Sequence, residues 1–421
     1  MMTAVQGELM RAQYGAAAYE SIEGGLPAQY PRTIGPNAMK YLQEVVDGGF
    51  SRSNTMVDRF ERRFAEELGV QHCIATPGCN PALQMLAAAL DFEPGDEIIV
   101  SPITDYGSIL GIVHENYIPV FPDTEPGTVN FSARTIEPHI TNRTRAILCV
   151  HKTGILCDMD PINELARRHG LVVYEDACQA AFGRYKGRLA GTLADAAAFS
   201  FDSEKTMGGD VGGCLVTDDA QLAARCRFIG QSRGAVREAS FGRRHIEPGY
   251  AFRMPFCTAA ICLAQLEIIR EQVAQRDRMI RLMSRLIGEI PGVTPLPIPD
   301  FMEVYSAWIF GMNIDLEQFT CTADEFARQL LAEGVPNAGT GRYYLMPVAC
   351  TFLNENAARN VYPYSTPPAS RRYRYDESTC PTAWSFLQSW IRWATFCEKY
   401  TEQDCHRAQE IVARVANRNR R

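Results

Sequence analysis

The sequence has few of the features that would point to a metal, a membrane or a nucleic acid. Its 14 cysteines form no CxxC pair and no cluster with histidine at zinc spacing. No apolar run approaches the roughly 20 residues that span a bilayer, and the N-terminus lacks the apolar core of a signal peptide. A formal net charge of -7 disfavours a general nucleic-acid binder, which needs a basic face. These absences predict a cytoplasmic protein with no resident metal and with neither membrane nor nucleic acid as a partner.

Two nucleotide-binding motifs are also missing. The segment "FSFDSEKTMGGDVGG" (199–213) combines a lysine with glycines, but not in the order of a phosphate-binding P-loop. No GxGxxG motif follows the early apolar runs, which disfavours a dinucleotide-dependent dehydrogenase. The scattered cysteines are typical of small buried apolar residues in a reducing compartment. Lys205, inside the glycine-rich segment, therefore needs another explanation.

The chain is long enough for two domains, with 421 residues of which 46% are hydrophobic. Between residues 70 and 217 short apolar runs alternate with amphipathic stretches. Runs that are apolar on both faces favour a mainly parallel sheet covered by helices. The predicted strands are "EIIVSPI" (97–103), "RAILCVH" (145–151), "LVVYEDA" (171–177), "AAAFSF" (196–201) and "GGCLVTD" (212–218).

Helix signals complete a βαβ pattern. In "DMDPINELARRHG" we expect Asp160 as the N-cap, Pro161 at the first helical position and Gly170 as the stop. Residues 255–290 have apolar side chains at helical spacing and carry the chain out of the first domain. The proline-rich stretch 291–300 then marks a boundary, and the remainder predicts a smaller α+β domain.

Polar side chains follow two of the predicted strands directly. Asp176 and Gln179 follow one, and Ser200 and Lys205 follow another, where ligands bind in doubly wound sheets. Taken singly, Asp176 is also explained as a helix cap and Lys205 as a solvated surface charge. Together they suit pyridoxal phosphate, which needs an amine for its aldehyde, a carboxylate for its pyridine nitrogen and donors for its phosphate. Tyr106 follows a third strand and is either an ordinary half-buried tyrosine or an aromatic partner for the ring.

Four segments resemble a known family in their order along the chain. They are "FSRSNTMVDRFERRFAEELGVQHCIAT", "PGDEIIVSPITDY", "VVYEDACQAAFGRYKGRLAGTLADAAAFSF" and "GYAFRMPFCTAAICLAQLE". They resemble the DegT/StrS family of pyridoxal-phosphate-dependent sugar or cyclitol aminotransferases. The resemblance implies the α/β fold of the aspartate-aminotransferase class, fold type I, with a mostly parallel central sheet. It also implies an N-terminal segment at 1–50, a large cofactor-binding domain at 51–275 and a small α+β domain at 276–421.

The resemblance also assigns roles to single residues. It implies that Lys205 holds the cofactor aldehyde as a Schiff base and that Asp176 pairs with the pyridine nitrogen. Gln179 would contact the ring hydroxyl, Ser200 the phosphate, and Tyr106 would stack on the ring. Pyridoxamine phosphate would be the cofactor form between the two half-reactions.

Some positions depart from the family pattern. Cys79-Asn80 stands where the family has Gly-Thr, next to Gly78, and the helix start there is expected to bind the phosphate through backbone N–H groups. Cys178 stands where a small residue faces the ring. Asp210 and Val211 replace a Gly-Glu pair, and Ala251 replaces an asparagine that reaches the partner subunit. The nine expected cofactor-binding positions are Gly78, Cys79, Asn80, Tyr106, Asp176, Cys178, Gln179, Ser200 and Lys205.

The expected reaction is transfer of an amino group from glutamate or glutamine to a keto-sugar, nucleotide-linked or phosphorylated, or to a keto-cyclitol. A shared active site in a homodimer is implied by the family. Candidate substrate-binding residues are Arg243, Arg244, Tyr250, Arg342 and Tyr343. Two alternatives remain, a non-transaminating enzyme that deoxygenates or dehydrates sugars and a ligand-binding regulatory relative. The dehydratases of this kind carry histidine in place of the lysine, so Lys205 favours transamination.

Overall fold

The computed structural model describes residues 25–51, 55–394 and 396–421. Residues 1–24, which include the stretch tested for a signal peptide and about half of the expected N-terminal segment, lie outside the described residues. The helices are α1 (Ala38–Asp47), α2 (Met56–Leu68), α3 (Cys79–Leu90), α4 (Tyr106–His114), α5 (Ala133–Ile136), α6 (Met159–His169), α7 (Ala220–Gly230), α8 (Phe256–Leu266), α9 (Ile269–Gly288), α10 (Ala323–Ala332), α11 (Met346–Ala349), α12 (Thr351–Ala358), α13 (Pro381–Ser389) and α14 (Glu402–Arg418). Short 3₁₀ helices cover Glu137–His139, Lys152–Gly154 and Arg342–Tyr344.

The strands follow the predicted apolar runs and add several that were not predicted. They are β1 (His72–Thr76), β2 (Glu97–Val100), β3 (Ile118–Val120), β4 (Thr144–Val150), β5 (Val172–Asp176), β6 (Arg184–Tyr185), β7 (Arg188–Leu189), β8 (Ala196–Ser200), β9 (Gly213–Thr217), β10 (Ala235–Glu238), β11 (Gly242–His245), β12 (Val293–Pro295), β13 (Met302–Val304), β14 (Ile309–Ile314), β15 (Ala338–Thr340) and β16 (Trp390–Ala394).

The central sheet has seven strands in the order β1-β9-β8-β5-β4-β2-β3. The pairs from β8 through to β3 are parallel, whereas β9 runs antiparallel to both β1 and β8. The strands are almost wholly buried because helices cover both faces, as their apolar composition predicted. The prediction of a mainly parallel sheet is confirmed.

A second, antiparallel sheet has the order β12-β14-β16-β15, and a small three-stranded sheet joins β13 to the β6–β7 hairpin. Helices α9 and α14 pack on each other, and α10 packs on β15 and α14. The expected division at residue 275 falls inside α9, which runs from the region of the large sheet to β12 of the second sheet.

One predicted helix cap is wrong. Helix α6 begins at Met159, and its N-cap is Asp158 rather than Asp160. Asp160 lies in the first turn, with Pro161 after it, and its carboxylate instead pairs with Lys186 and Arg188 of the β6–β7 hairpin. The predicted stop is confirmed, since the C-cap Gly170 has a left-handed φ of 64°.

Within the described residues no helix combines the length and apolar character that crossing a bilayer requires.

Candidate active site

The site residues lie at the carboxyl ends of neighbouring strands. Side chains alternate along a strand, and Phe199 and Phe201 both pack edge-on against Phe64, with ring centroids 5.2 and 5.3 Å apart. Ser200, between them, therefore faces the opposite side of the sheet. In the next strand Asp176 is the last residue, and its register partner in β4 is Val150. Aromatic packing on one face of the sheet thus places Ser200 on the other face, at the carboxyl end of its strand.

Asp176 is a buried carboxylate whose two oxygens both accept hydrogen bonds. The Ser108 hydroxyl donates to Oδ2 at 2.6 Å, and the Cys178 backbone N–H donates to Oδ1 at 3.2 Å. The hydroxyls of Ser108 and Thr104 lie 2.6 Å apart, so a short chain of hydroxyls supports the carboxylate. A carboxylate has about four lone-pair directions, so Asp176 keeps acceptor capacity for a ligand N–H.

The segment that carries Lys205 is held mainly through its backbone. The Arg32 guanidinium donates to the carbonyls of Ser203 and Thr206 at 2.8 Å each, and also to the carbonyl of Lys205. Trp308 Nε1 donates to the Glu204 carbonyl at 2.8 Å. These contacts fix the loop independently of its side chains.

The Lys205 amine itself lies 3.7 Å from the centroid of the Trp308 ring. An ammonium over the face of an aromatic ring is attracted by the ring quadrupole. Gln29 adds a donor to the Glu204 carbonyl at 2.9 Å. The sequence reasoning missed Gln29, Arg32, Ser108 and Trp308, because 68 or more positions separate each of them from the residue that it supports.

Two cysteines lie between the carboxylate and the start of α3. The Cys178 thiol donates to the Cys79 sulfur at 2.7 Å, and both sulfurs lie within 4.8 Å of a carboxylate oxygen of Asp176. Burial raises the pKa of both thiols, the charge of Asp176 raises it further, and the charge of Lys205 lowers it. Lys205 and Asp176 therefore act on the same buried thiols, which brings the two predicted catalytic residues to one place.

The start of α3 is a close-packed backbone site. Its N-cap is Gly78, and no side chain caps the first N–H groups. Strand β9 passes directly beneath, because a Cβ on Gly213 would lie 2.4 Å from the Gly78 carbonyl carbon. Asn80 fits against Gly107, where a Cβ would lie 2.3 Å from the Asn80 amide oxygen. This end of the helix is thus an open set of backbone donors in a glycine cradle.

Gln179 and Tyr106 are the two remaining predicted ring contacts. Gln179 is buried, and its Oε1 accepts a hydrogen bond of 2.6 Å from the Thr153 backbone N–H. Tyr106 is the first residue of α4, is 37% exposed and meets the Phe352 ring edge-on at 5.9 Å. The next residue, Gly107, packs against Asn80 at the start of α3. The ring-stacking role of Tyr106 stays a prediction.

The predicted substrate residues have partners of their own. Arg243 and Arg244 are exposed on β11, and Arg244 pairs with Glu238 at 2.8 Å. Tyr250 donates to Glu115 at 2.6 Å.

Two further candidates lie near the second sheet. Arg342 pairs with Asp324, and the Tyr343 hydroxyl accepts a hydrogen bond of 3.1 Å from Arg392. No hydrogen bond or ion pair joins the five candidates to Asp176 or Lys205 in the described part of the chain, and their roles stay predictions.

The residues present fit pyridoxal phosphate. Lys205 supplies an amine, Asp176 a supported carboxylate with spare acceptor capacity, and the uncapped start of α3 supplies backbone donors suited to a phosphate. Ser200 adds a hydroxyl on the same face, and Gly213 leaves the helix start free of any overlying side chain.

Comparison with known proteins agrees with this chemistry. The model of the DegT/DnrJ/EryC1/StrS aminotransferase family matches residues 32–374. Spore coat polysaccharide biosynthesis protein SpsC of Bacillus subtilis (strain 168) is 31% identical over 371 residues, which are 86% of this chain and 90% of that protein. GDP-perosamine synthase of Caulobacter vibrioides is 35% identical over 308 residues, covering 72% of this chain and 81% of that protein.

A solved structure supports the same assignment. DesI, crystallised in the presence of its TDP-sugar product, matches with a TM-score of 0.75 and 26% identity, over 96% of this chain and 95% of that one. The predicted fold type I is confirmed by this likeness and by the largely parallel central sheet. The chain belongs to the DegT/DnrJ/EryC1/StrS aminotransferase family and is a pyridoxal-phosphate-dependent aminotransferase.

Proposed function

We propose that this enzyme transfers an amino group from glutamate or glutamine to a nucleotide-linked or phosphorylated keto-sugar or to a keto-cyclitol. The observation that carries the proposal is that Asp176 ends β5 and pairs with Ala198 of the neighbouring parallel strand β8, which leads directly into Ser200 and the Lys205 loop at the same carboxyl edge of the sheet. An amine and a buried carboxylate are the two groups that cofactor-dependent transamination requires of the protein. A product of this kind belongs to amino-sugar, antibiotic or surface-polysaccharide synthesis.

Asp176 holds a proton on the pyridine nitrogen in this proposal. When bound, pyridoxal phosphate acts as an electron sink for the charge that develops on the reacting carbon. The Ser108 hydroxyl, which donates to Oδ2 at 2.6 Å, and the Cys178 backbone N–H, which donates to Oδ1, would hold the carboxylate in place while it keeps acceptor capacity for the nitrogen. Removing a preorganised charge of this sort raises the barrier by roughly 3 kcal/mol or more.

Lys205 would hold the cofactor aldehyde through its amine and, once released, would serve as the base for the proton on the α-carbon of the donor. Because Arg32 holds the loop backbone in place, the Lys205 Nζ would stay positioned for that proton. The Trp308 ring lies against the amine, with its centroid 3.7 Å from Nζ.

The remaining cofactor contacts follow from the strand ends. Ser200 and the backbone N–H groups at the start of α3 would bind the phosphate, with Gly78, Cys79 and Asn80 supplying that helix start. Cys178 would face the ring opposite Tyr106, and Gln179 would contact the ring hydroxyl.

The acceptor class rests on the relatives. GDP-perosamine synthase is named for a nucleotide sugar, and DesI was crystallised with a TDP-sugar product. Arg243 and Arg244, exposed on the β10–β11 hairpin, are suited to a phosphate or nucleotide group. Tyr250, Arg342 and Tyr343 complete the proposed contact set.

We also propose a homodimer with shared active sites and a division into a large domain (51–275) and a small domain (276–421). The β10–β11 hairpin exposes the large apolar side chains of Phe241 and Ile246. Exposed apolar side chains grouped on a hairpin are typical of a subunit contact. Sedimentation of the wild type beside a Phe241→Ser, Ile246→Ser variant tests this, and the double variant should dissociate more readily.

The test of the function uses two half-reactions. The holoenzyme is converted to the pyridoxamine phosphate form with glutamate or glutamine and freed of donor. Nucleotide keto-sugars, keto-sugar phosphates and keto-cyclitols are then added separately, and recovery of the original cofactor absorbance identifies the acceptor. Failure of every donor to change the spectrum would favour a non-transaminating enzyme.

A matched pair of variants tests the lysine. Lys205→Ala should still bind the cofactor non-covalently but lose turnover, whereas Lys186→Ala, on an exposed hairpin, should behave as wild type. Full activity of the Lys205→Ala variant would refute the assignment of Lys205.

A further inference from the structure

Lys152 is a fully buried lysine beside the active site with no hydrogen-bond partner for its amine in the described residues. Its side chain is 0% exposed, and its Nζ has no acceptor. It follows β4 by two positions, and the last residue of that strand, Val150, is paired with Asp176. Buried polar groups are almost always hydrogen-bonded, and a buried amine without a partner is costly. A ligand atom would supply the missing partner.

The turn that carries Lys152 is held from several sides. Thr153 has a left-handed φ of 62°, which is unfavourable for a β-branched residue. The Thr153 backbone N–H donates to Gln179 Oε1 at 2.6 Å, and the Thr153 carbonyl accepts a hydrogen bond of 3.2 Å from the Trp308 backbone N–H. Gly154, with φ 95°, is packed so closely that a Cβ would lie 2.4 Å from the Ser306 carbonyl oxygen. The surrounding structure therefore stabilises a strained turn that keeps Lys152 inside.

A second cation lies near the Lys152 amine. Nζ of Lys152 is 3.0 Å from the centroid of the Tyr344 ring, and the Arg392 guanidinium lies 5.9 Å from the same centroid. Nε of Arg392 is buried and has no hydrogen-bond partner, while its Nη2 donates to Tyr343. Two cationic side chains with unused donors thus share one aromatic ring.

The charged groups facing Lys152 come from four other parts of the fold. They are Asp105 at the start of α4, Asp176 at the end of β5, Lys205 on its loop and Arg392 on β16. Burial lowers the pKa of the Lys152 amine well below its ordinary value, Lys205 and Arg392 lower it further, and the two carboxylates oppose this. No ion pair compensates Lys152 within the described chain, so an anion entering here would supply the partner that its amine lacks.

We propose that Lys152, together with Arg392, binds the carboxylate of a substrate in the active site. The inference rests on the proposed transamination, in which the donor amino acid carries a carboxylate on the reacting carbon. An acceptor that is a sugar acid offers the same chemical group. The cofactor phosphate is not the partner, because its proposed donors are at the start of α3 and at Ser200. Binding of a carboxylate favours the protonated amine, so it should take up a proton.

The test measures binding of unreactive carboxylates to the holoenzyme by calorimetry. Glutarate represents the donor and glucuronate a sugar-acid acceptor. In the Lys152→Met variant we expect affinity to fall roughly 10- to 100-fold for one of these probes, the loss typical of a charged hydrogen-bond partner. In the wild type the binding heat should vary with the ionisation heat of the buffer, and affinity should fall as pH rises. Lys186→Met, which alters an exposed lysine, is the control.

The outcomes separate the sources and the rival explanations. If the Lys152→Met variant loses affinity for glutarate alone, Lys152 binds the donor carboxylate. If it loses affinity for glucuronate alone, Lys152 binds the acceptor carboxylate. Equal affinity of the Lys152→Met and wild-type proteins for both probes, or no binding of either probe to the wild type, would overturn the proposal. The Lys152→Met variant should fold, because methionine removes an unpartnered buried amine. The melting temperature of the variant should therefore match or exceed the wild-type value. The probes do not react, so these results are independent of whether the enzyme transaminates glutamate.

Discussion

Arg32 offers the sharpest test of how the Lys205 loop is held. Its guanidinium donates to three backbone carbonyls of the Lys205 loop, those of Ser203, Lys205 and Thr206. The loop also wraps around it, since a Cβ on Gly208 would lie 2.9 Å from the guanidinium carbon. Burial chiefly, with the charge of Arg276, lowers the pKa of Arg32 to about 10, so the side chain stays charged at neutral pH.

The expected cost of Arg32→Met follows from those contacts. A hydrogen bond from a charged donor contributes about 1.5 to 3 kcal/mol, but the three share one side chain, and Gln29 still serves the Glu204 carbonyl. Losses of hydrogen bonds that share one side chain are not additive. We therefore expect Arg32→Met to reduce the free energy that favours the ordered loop by about 3 kcal/mol. That corresponds to roughly a 100-fold smaller population of correctly placed Lys205.

The assay is the single-turnover rate of the donor half-reaction, followed by cofactor absorbance at saturating glutamate. Arg32→Met should lower that rate roughly 100-fold while leaving cofactor affinity within a few-fold, because the phosphate and ring contacts lie elsewhere. The rate of the Arg32→Lys variant should lie between those of the wild type and Arg32→Met, because an ammonium cannot reproduce the planar fork of guanidinium donors. Arg188→Met, which removes an exposed arginine paired with Asp160, controls for the loss of a surface charge. A rate for Arg32→Met within fivefold of wild type would refute the proposed role of the loop contacts.

Three further predictions concern the site, the fold and the thiols. Ser108→Ala removes the donor to Asp176 and should reduce kcat about tenfold with little change in folding; an unchanged kcat contradicts this. Burial raises the pKa of Glu398, but the charges of Arg276 and Arg32 and the hydrogen bonds to the carboxylate together outweigh this effect, and the net pKa is lowered. The stabilisation from this pair is therefore present above pH about 4.5 and lost as pH falls through the lowered pKa, so Glu398→Gln should flatten the acid side of a melting-temperature profile. Cys257 is exposed and should react first with a thiol reagent, a phase that Cys257→Ser abolishes, because burial raises the pKa of most other thiols and the thiolate is the reactive form.

The strands were predictable from sequence because both faces of each are buried. The run "LVVYEDA" predicted the strand that the structure places at Val172–Asp176, and "AAAFSF" predicted Ala196–Ser200. These two predictions extended one residue past the carboxyl end of the strand, and the predicted strand 97–103 extended three residues past Val100. The cap of α6 was predicted wrongly because Asp160 serves two basic residues of a distant hairpin, Lys186 and Arg188, and nothing local in the sequence reveals that partnership.

The polar residues at strand ends were predictable to a similar degree. The rule that pointed to Asp176 is that polar side chains following buried strands gather at one edge of the sheet. The same rule also points to Lys152, which follows the strand Thr144–Val150 but is not among the predicted site residues. Arg32 and Trp308 carry no comparable signal, since each acts on the Lys205 loop from more than 100 positions away.

The altered segment "DVGG" shows which parts of the catalytic loop depend on their side chains. Asp210 contributes through its backbone, as its carbonyl accepts from the Ser203 N–H at 2.9 Å, and the side chain of Val211 is 49% exposed. The two glycines that follow have no such freedom. A Cβ on Gly212 would lie 2.9 Å from Thr258, and Gly213 lies against the Gly78 backbone. The positions that differ from the family pattern are therefore those where a side chain can point outward. The positions that retain glycine are those where the loop packs against Thr258 and the start of α3, so the substitutions alter the exposed face of the loop and leave that packing unchanged.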